Sequence, residues 1–178
     1  MSIVTIKDKS FKTSITEAEI KARVKAVAEQ INKDLEGKNP LFLCVLNGSF
    51  IFAADLLREI TIPSEISFVK LASYQGTSST GKVKEVIGLN TDLAGRSVVV
   101  VEDIVDTGRT MKQMIESLGT HHPESIRICT LFLKPTKLQE DIKPEYVVFS
   151  IPDDFIVGYG LDYDQQGRGL KDIYTIVE

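Results

Sequence analysis

Apolar runs of strand length alternate along this chain with longer segments that have helical periodicity. Predominantly apolar runs at 41–46, 98–101 and 126–133 are typical of strands covered on both faces, as in a parallel sheet. Further strands are predicted at 66–72, 84–88 and 147–149. Because strands and helices alternate, the pattern predicts an α/β fold with a central parallel sheet flanked by helices.

Three segments repeat apolar residues at the spacing of an amphipathic helix. The first begins with the capping-box pair Thr16 and Glu19 and ends before Gly37. The second, at 50–59, follows the turn Asn47-Gly48-Ser49, and the third occupies 111–118. Two strand-turn-helix units therefore place their turns at the same edge of the predicted sheet.

The stretch 97–110, S-V-V-V-V-E-D-I-V-D-T-G-R-T, carries the most informative polar residues. Its valine run stops at Glu102 and Asp103, which predicts a strand, then an acidic loop, then a helix N-terminus. Ligands of open α/β sheets bind beyond the carboxyl ends of strands, and a helix N-terminus suits a phosphate. Gly108 allows close backbone approach, and the hydroxyls of Thr107 and Thr110 can donate to that phosphate.

The two carboxylates at 102 and 103 suit a different part of the same ligand. Phosphate would repel Glu102 and Asp103, so these side chains are expected to hold sugar hydroxyls or a magnesium ion. The ligand inferred from this stretch therefore combines phosphate, hydroxyl groups and a metal.

Composition narrows the class of protein. With 178 residues, of which 43% are hydrophobic, the chain suits one domain, and its net charge of −4 argues against general nucleic-acid binding. Cys44 and Cys129 lie in apolar runs and are expected to be buried thiols. The sequence has no signal-peptide pattern and no apolar stretch of membrane-spanning length, so we expect a cytoplasmic protein without a membrane partner.

Several polar positions have two interpretations from the residues alone. Gly48 could face the ligand or form a simple turn, and Lys134, at a strand end, could bind ligand or be a solvated charge. Phe155 could stack on a flat heterocycle or belong to the core. The polar segment 73–83 could cover a site or be a plain hairpin tip. Neither a dinucleotide-binding glycine motif nor a Walker loop is present.

Two segments resemble one enzyme family. V-V-V-V-E-D-I-V-D-T-G-R-T at 98–110 closely resembles the phosphoribosyl-pyrophosphate motif of type I phosphoribosyltransferases. I-P-D-D-F-I-V-G-Y-G-L-D-Y at 151–163 resembles the purine-binding hood of the hypoxanthine-guanine branch. The resemblance spans about 41–168 and implies the type I phosphoribosyltransferase fold. It implies one domain at 1–178, with a small hood formed by the N-terminal segment and roughly 150–178.

The resemblance also implies an activity in purine salvage. The family transfers 5-phosphoribosyl from phosphoribosyl pyrophosphate to hypoxanthine or guanine, which gives IMP or GMP and pyrophosphate and uses Mg²⁺. Asp106 matches the proposed general base, Lys134 the donor to the purine six-oxo group, and Phe155 the residue that stacks on the base. For the other matched positions the resemblance implies the following roles: phosphate binding by Thr107, Gly108, Arg109 and Thr110; sugar or metal binding by Glu102 and Asp103; base-edge contact by Ile156; pyrophosphate contact by Asn47, Gly48 and Arg168; magnesium binding by Asp162; and a catalytic lid that begins with Ser73 and Tyr74.

Alternatives remain at this stage. One alternative is a related phosphoribosyltransferase that prefers xanthine. Another is an RNA-binding regulator built on the same scaffold, similar to the pyrimidine attenuation proteins. Many relatives carry a basic residue at the position of Asn47, so this chain lacks the positive side-chain charge that they have there. Family members form dimers or tetramers, so the resemblance implies a homodimer or homotetramer.

Overall fold

A computed structural model describes residues 2–72 and 84–177 of the chain. Its elements, in chain order, are β1 (Ile3–Ile6), β2 (Lys9–Ile15), α1 (Glu17–Asp34), β3 (Leu41–Leu46), α2 (Phe50–Glu59), β4 (Glu65–Ala72), β5 (Lys84–Ile87), β6 (Ser97–Val105), α3 (Arg109–Gly119), β7 (Ser125–Leu133), β8 (Tyr146–Ser150), β9 (Ile156–Val157) and β10 (Ile173–Val177). The predicted alternation of strands and helices is confirmed, and the fold belongs to the predicted α/β class.

The larger sheet has six strands in the order β5-β4-β3-β6-β7-β8. Neighbouring strands from β4 to β8 are parallel, and β5 pairs antiparallel with β4 at the edge. Alternate residues of β3 point to opposite faces, because side chains in a strand alternate. Phe42 and Cys44 pack in the cluster that contains the buried residues of α1 and α2, whereas Leu41 and Leu43 pack with those of α3. Helices therefore cover both faces of the sheet.

The helix starts follow local capping chemistry. Thr16 caps α1, its side chain accepts from the Glu19 backbone, and Glu19 in turn accepts from the Thr16 backbone, which confirms the predicted capping box. The α3 helix begins at Arg109, two residues before the predicted start at 111, because Gly108 supplies the left-handed N-cap with φ of 85°. Both cysteines are buried free thiols, as predicted.

The prediction that the strand ends at Glu102 and Asp103 is wrong. β6 continues to Val105, and Glu102 pairs with Thr130 and Val105 with Leu133 in the ladder with β7. A parallel ladder is made by backbone groups, so carboxylate side chains do not stop it when the neighbouring strand continues alongside. Glu102 and Asp103 are thus held on a rigid strand, and the loop that precedes α3 begins only at Asp106.

Both ends of the chain contribute to a second, four-stranded sheet of order β1-β2-β10-β9. Its core contains Phe11, Val157 and Tyr174, with Ile6 beside them. In this sheet β10 lies between β2 and β9, so residues 156–157 belong to the same sheet as the strands formed by the first fifteen residues. Within the described ranges, no helix is both long enough and apolar enough to span a membrane.

Candidate active site

The carboxyl ends of β3, β6 and β7 lie together at one edge of the larger sheet. From β3 the chain moves to β4 on one side, whereas from β6 it moves to β7 on the other, so the strand order reverses between β3 and β6. Open α/β sheets bind their ligands in the crevice at such a switch point. The residues that follow these three strands are Asn47, Asp106 and Lys134.

The turn after β3 packs against the acidic part of β6. A side chain at Gly48 would overlap Oδ2 of Asp103, so a larger residue there would require the Asp103 carboxylate to move. Ser49 is buried, and its hydroxyl donates to the carbonyl of Val45. The peptide between Leu46 and Asn47 is cis, and the Asn47 side chain is exposed. The structure therefore brings Gly48 and Asp103 together.

Glu102 and Asp103 form an acidic pair with one buried member. Glu102 is buried, and its Oε1 accepts from the backbone N–H of Asp103 at 3.1 Å. Burial, and then the neighbouring carboxylate of Asp103, raise the pKa of Glu102 well above its usual range. A hard divalent cation relieves this cost, and Mg²⁺ prefers one or two carboxylates together with substrate phosphates. The donor set of this pair fits magnesium.

Asp162, the third predicted magnesium ligand, has other partners. Its carboxylate pairs with Arg168 at 3.0 Å and accepts from the Gln165 backbone at 2.8 Å. Across residues 2–72 and 84–177, no group of three or more acidic, histidine or cysteine side chains has the arrangement of a metal site. The predicted ligands are therefore split between an acidic pair on β6 and an ion pair in the loop after β9.

The loop from Asp106 to Gly108 borders a cavity of about 90 Å³ at the N-terminus of α3. A side chain at Gly108 would come within 2.9 Å of Leu138, so this loop is also packed from behind. Thr107 and Thr110 line the cavity together with Glu102. The Arg109 side chain turns away to donate to Gln139 at 2.8 Å.

Lys134 directly follows β7 and is buried, with 7% of the residue exposed. Its Nζ donates to Oδ1 of Asp153 at 3.1 Å. A buried lysine requires a counter-charge, and Asp153 supplies it. The sequence interpretation of Lys134 as a solvated strand-end charge is therefore wrong.

Two charged residues of this region were not singled out from the sequence. Lys137 Nζ lies 3.3 Å from Oδ1 of Asp153 and 3.4 Å from Oδ2 of Asp106. A turn in which the Lys137 backbone donates to the Lys134 carbonyl at 3.1 Å brings the two lysines to one place. The Lys-Pro-Thr-Lys spacing was a usable signal for this turn, and Asp153 lies inside the quoted 151–163 segment. Oδ1 of Asp106 is buried and has no hydrogen-bond partner among the described residues.

Phe155 presents an exposed aromatic ring, with 45% of the residue accessible. Its ring centroid lies 6.2 Å from that of Phe11 and 5.9 Å from that of Tyr163, the latter in an edge-on arrangement. This aromatic cluster supports the ring from one side, which favours a stacking platform over a core position. Ile156 follows as a buried residue of β9, and Ser73 and Tyr74 lie outside the described residues.

The crevice at the sheet switch point is bordered by an acidic strand segment and a glycine-containing helix start, an arrangement that fits the class of phosphoribosyltransferases to which the resemblance pointed. Residues 13–164 match the model of the phosphoribosyl transferase domain. The chain is 43% identical over 166 residues to hypoxanthine phosphoribosyltransferase of Salmonella typhimurium, covering 92% of this chain and 93% of that protein. It is 40% identical over 169 residues to hypoxanthine-guanine phosphoribosyltransferase of Mycobacterium tuberculosis, covering 91% and 84%.

Solved structures agree with the sequence comparisons. A hypoxanthine-guanine phosphoribosyltransferase from Bacillus anthracis superposes with a TM-score of 0.88 at 41% identity, covering 93% of this chain and 98% of that one. A hypoxanthine phosphoribosyltransferase from Trypanosoma cruzi gives a TM-score of 0.89 at 33% identity, covering 98% and 95%. The chain belongs to the phosphoribosyltransferase family, with the type I fold and with relatives in its hypoxanthine and hypoxanthine-guanine branch.

Proposed function

We propose that this chain transfers 5-phosphoribosyl from phosphoribosyl pyrophosphate to hypoxanthine, and also to guanine, in purine salvage. The observation that carries the proposal is that a proton acceptor and a hydrogen-bond donor both follow strands at the same edge of the sheet. Asp106 offers a buried oxygen that has no hydrogen-bond partner within residues 2–72 and 84–177, and Lys134 offers a buried ammonium group. Six-oxopurines present a ring N–H for the first group and a carbonyl for the second. The named relatives favour this reaction over the xanthine-preferring and RNA-binding alternatives.

The phosphoribosyl end of the substrate is assigned to β6 and the start of α3. The 5-phosphate would bind at the loop of Thr107, Gly108, Arg109 and Thr110, where the helix dipole favours an anion. Glu102 and Asp103 would hold the ribose hydroxyls and one Mg²⁺. The cavity that Glu102, Thr107 and Thr110 share supports this division, because it joins Glu102 to the phosphate loop.

The reaction exchanges one bond at C1 of the ribose for another. The C1–O bond to pyrophosphate breaks and a C1–N bond to the purine forms, while the proton of the purine ring nitrogen passes to Asp106. C1 gains positive charge as pyrophosphate leaves, and the carboxylates of Glu102 and Asp103 stabilise that charge. Bound magnesium would neutralise charge on the pyrophosphate.

The purine base is assigned to the opposite side of the crevice. Lys134 would donate to the six-oxo group, Phe155 would stack on the ring, and the backbone of Ile156 would contact the base edge. The exposed ring of Phe155 and the buried ammonium of Lys134 support these roles. A six-aminopurine would present a donor to a donor, which disfavours its binding.

The leaving pyrophosphate is assigned to the turn after β3 and to Arg168. A side chain at Gly160 would overlap the carbonyl oxygen of Gly48, so this turn packs against the loop that carries Arg168. Asn47 would contact the pyrophosphate through an uncharged amide, where a basic residue would add a positive charge. Asp162, which forms an ion pair with Arg168, would take part in magnesium binding. Ser73 and Tyr74 are proposed to open a lid over this region.

We further propose one functional domain over 1–178, with the small sheet as the hood over the base, and a homodimer or homotetramer in solution. Sedimentation equilibrium of the purified chain checks the assembly. A monomer at micromolar concentration would contradict the proposed oligomer and would leave the assignment of the reaction intact.

The reaction is tested by pyrophosphate release from phosphoribosyl pyrophosphate and magnesium, with hypoxanthine, guanine, xanthine, adenine and uracil offered separately. Turnover with hypoxanthine and guanine, and none with adenine or uracil, is expected. Preference for xanthine would move the assignment to the related enzyme. Folded protein that is inactive with all five bases would overturn the proposed reaction.

A further inference from the structure

Four charged side chains of alternating sign connect the two residues assigned to the purine. Lys134 contacts Asp153 at 3.1 Å, Asp153 contacts Lys137 at 3.3 Å, and Lys137 contacts Asp106 at 3.4 Å. The residues come from three separate segments, which follow β6, β7 and β8. Nothing in the reaction as written above uses the two inner members, Asp153 and Lys137.

In the proposed reaction, the two ends of this ion chain would face two atoms of one purine edge. In a six-oxopurine, the exocyclic oxygen and N7 lie side by side, and a base that carries its proton on N7 has N9 free to attack C1. The donor to the oxygen and the acceptor of the proton must therefore be fixed neighbours. Misplacement of such groups by about 1 Å costs as much as a hundredfold in rate.

Lys137 determines which oxygen of Asp106 is available. Its ammonium group holds Oδ2, and Oδ1 is the buried oxygen that has no partner among the described residues. A carboxylate held by one oxygen presents the other in a fixed direction. The same ammonium group also forms an ion pair with Oδ1 of Asp153, the oxygen that accepts from Lys134.

Asp153 has the complementary effect on Lys134. The Lys134 side chain is only 9% exposed, and Asp153 is its one ion-pair partner within the described ranges. A lysine has a long flexible stem, and fixing it before substrate arrives reduces the entropy that binding must supply. Loss of the Asp153 charge would leave a buried ammonium free to find another partner, and Asp106 is the next carboxylate along the ion chain.

We propose that Asp153 and Lys137 are positioning residues that set the spacing between the purine-oxygen donor Lys134 and the proton acceptor Asp106. The inference rests on the proposed reaction. Asp153 and Lys137 touch neither reacting atom, and they act through the two residues that do. Their removal is expected to affect the use of the purine and to spare the use of phosphoribosyl pyrophosphate.

The test compares Asp153→Asn, Lys137→Met and Lys137→Arg with the wild-type chain, with kcat and both KM values measured separately. Asn and Met keep side-chain size and remove the charge, while Arg keeps the charge. We expect kcat/KM for hypoxanthine to fall about tenfold in Asp153→Asn and Lys137→Met, because each change removes one contact that positions a group used by the purine. The KM for phosphoribosyl pyrophosphate should change by less than about twofold, and Lys137→Arg should recover most of the loss.

The double variant Asp153→Asn with Lys137→Met separates a connected ion chain from two independent contacts. Members of one network are not additive, so the double variant should resemble the more affected single variant rather than lose about a hundredfold. Lys38→Met is the matched control, because it removes a similar ion pair, Lys38 with Glu124 at 2.9 Å, whose residues precede β3 and β7 and so lie away from the carboxyl ends of the strands. That control should retain wild-type kinetics.

Three results would overturn the inference. If Asp153→Asn and Lys137→Met each retain kcat/KM for hypoxanthine within twofold of an active wild type, the positioning role is removed and the proposed reaction stands. Equal loss toward both substrates, with a lowered melting temperature, would assign the ion chain to stability alone. An inactive, folded wild-type chain would remove the proposed reaction and this inference with it.

Discussion

The two halves of β6 belong to one strand and one hydrogen-bonded ladder, yet only the second half carries acidic side chains, beside the apolar Ile104 and Val105. Val98 to Val101 are completely buried and pack into clusters on both faces of the sheet. From Glu102 onward the strand carries carboxylates, and one of them is buried with a strongly raised pKa. The first half lowers the free energy of the folded chain, whereas the second places groups whose value appears only when substrate is bound.

Within a few residues, β6 therefore changes from side chains that stabilise the fold to side chains that serve the reaction. The valine side chains are removed from water on folding, and this burial stabilises the folded chain by about 0.8 kcal/mol for each buried methylene. Glu102 is desolvated and lies beside a like charge, an arrangement that costs stability in the empty site. A change in the first half should therefore affect folding, and a change beyond it should affect turnover.

The largest effect is expected at Asp106, just beyond the end of the strand. Asp106→Asn should lower kcat by about a hundredfold or more, because an amide cannot accept the purine proton. The melting temperature should stay near that of the wild type, since Asp106 has an ion pair with the partly exposed Lys137 and no role in the core. Steady-state kinetics and thermal unfolding check the two halves of this expectation. Near-normal turnover would remove the assignment of the base.

The next effect concerns the apolar half of the strand. Val99→Ala should lower the free energy of unfolding by about 2 kcal/mol, because Val99 is fully buried in the cluster that joins the sheet to α1 and α2. Urea unfolding measures the loss, and kcat of the folded variant should be unchanged. A variant that keeps its stability and loses turnover would contradict the division of the strand.

The sequence predicted the apolar half of this strand better than the acidic half. The valine run and the capping box at Thr16 are local signals, and both features are present as predicted. The strand end was misplaced because β6 extends by pairing with β7, and a ladder partner 25 or more residues away leaves no mark on the local pattern. The positions at Lys137 and Asp153 were missed for the same reason, since their ion pairs join segments that are remote in sequence.

A smaller effect is expected at Lys134. Lys134→Ala should reduce the preference for hypoxanthine over adenine by about tenfold, because the missing ammonium group no longer favours an acceptor at the six position. Competition between the two bases, with pyrophosphate release as the readout, measures this preference. Unchanged discrimination would show that another group selects the six-oxo form. Lys112→Met, which removes an ion pair with Glu140 at 2.7 Å, serves as the control.

The smallest effect is expected at Glu102, and its sign distinguishes the two ends of β6. The folded pKa of Glu102 is raised, so the chain loses stability as pH rises above the unfolded value of about 4.3. Glu102→Gln cannot titrate, and its unfolding free energy should exceed that of the wild type by about 1 kcal/mol at neutral pH, with the gap closing toward pH 4. Turnover should fall.

Glu124 is the control at the opposite end of the strand, where its carboxylate accepts from Ser97 and Lys38. These hydrogen bonds lower the pKa of Glu124, so its contribution to stability is present above the unfolded value and is lost as pH falls. Glu124→Gln should therefore destabilise the chain at neutral pH, the reverse of Glu102→Gln. Urea unfolding between pH 4 and pH 7.5 measures both. Destabilisation by Glu102→Gln at neutral pH would mean that the buried carboxylate stabilises the empty fold, and the contrast between the two ends of β6 would then fail.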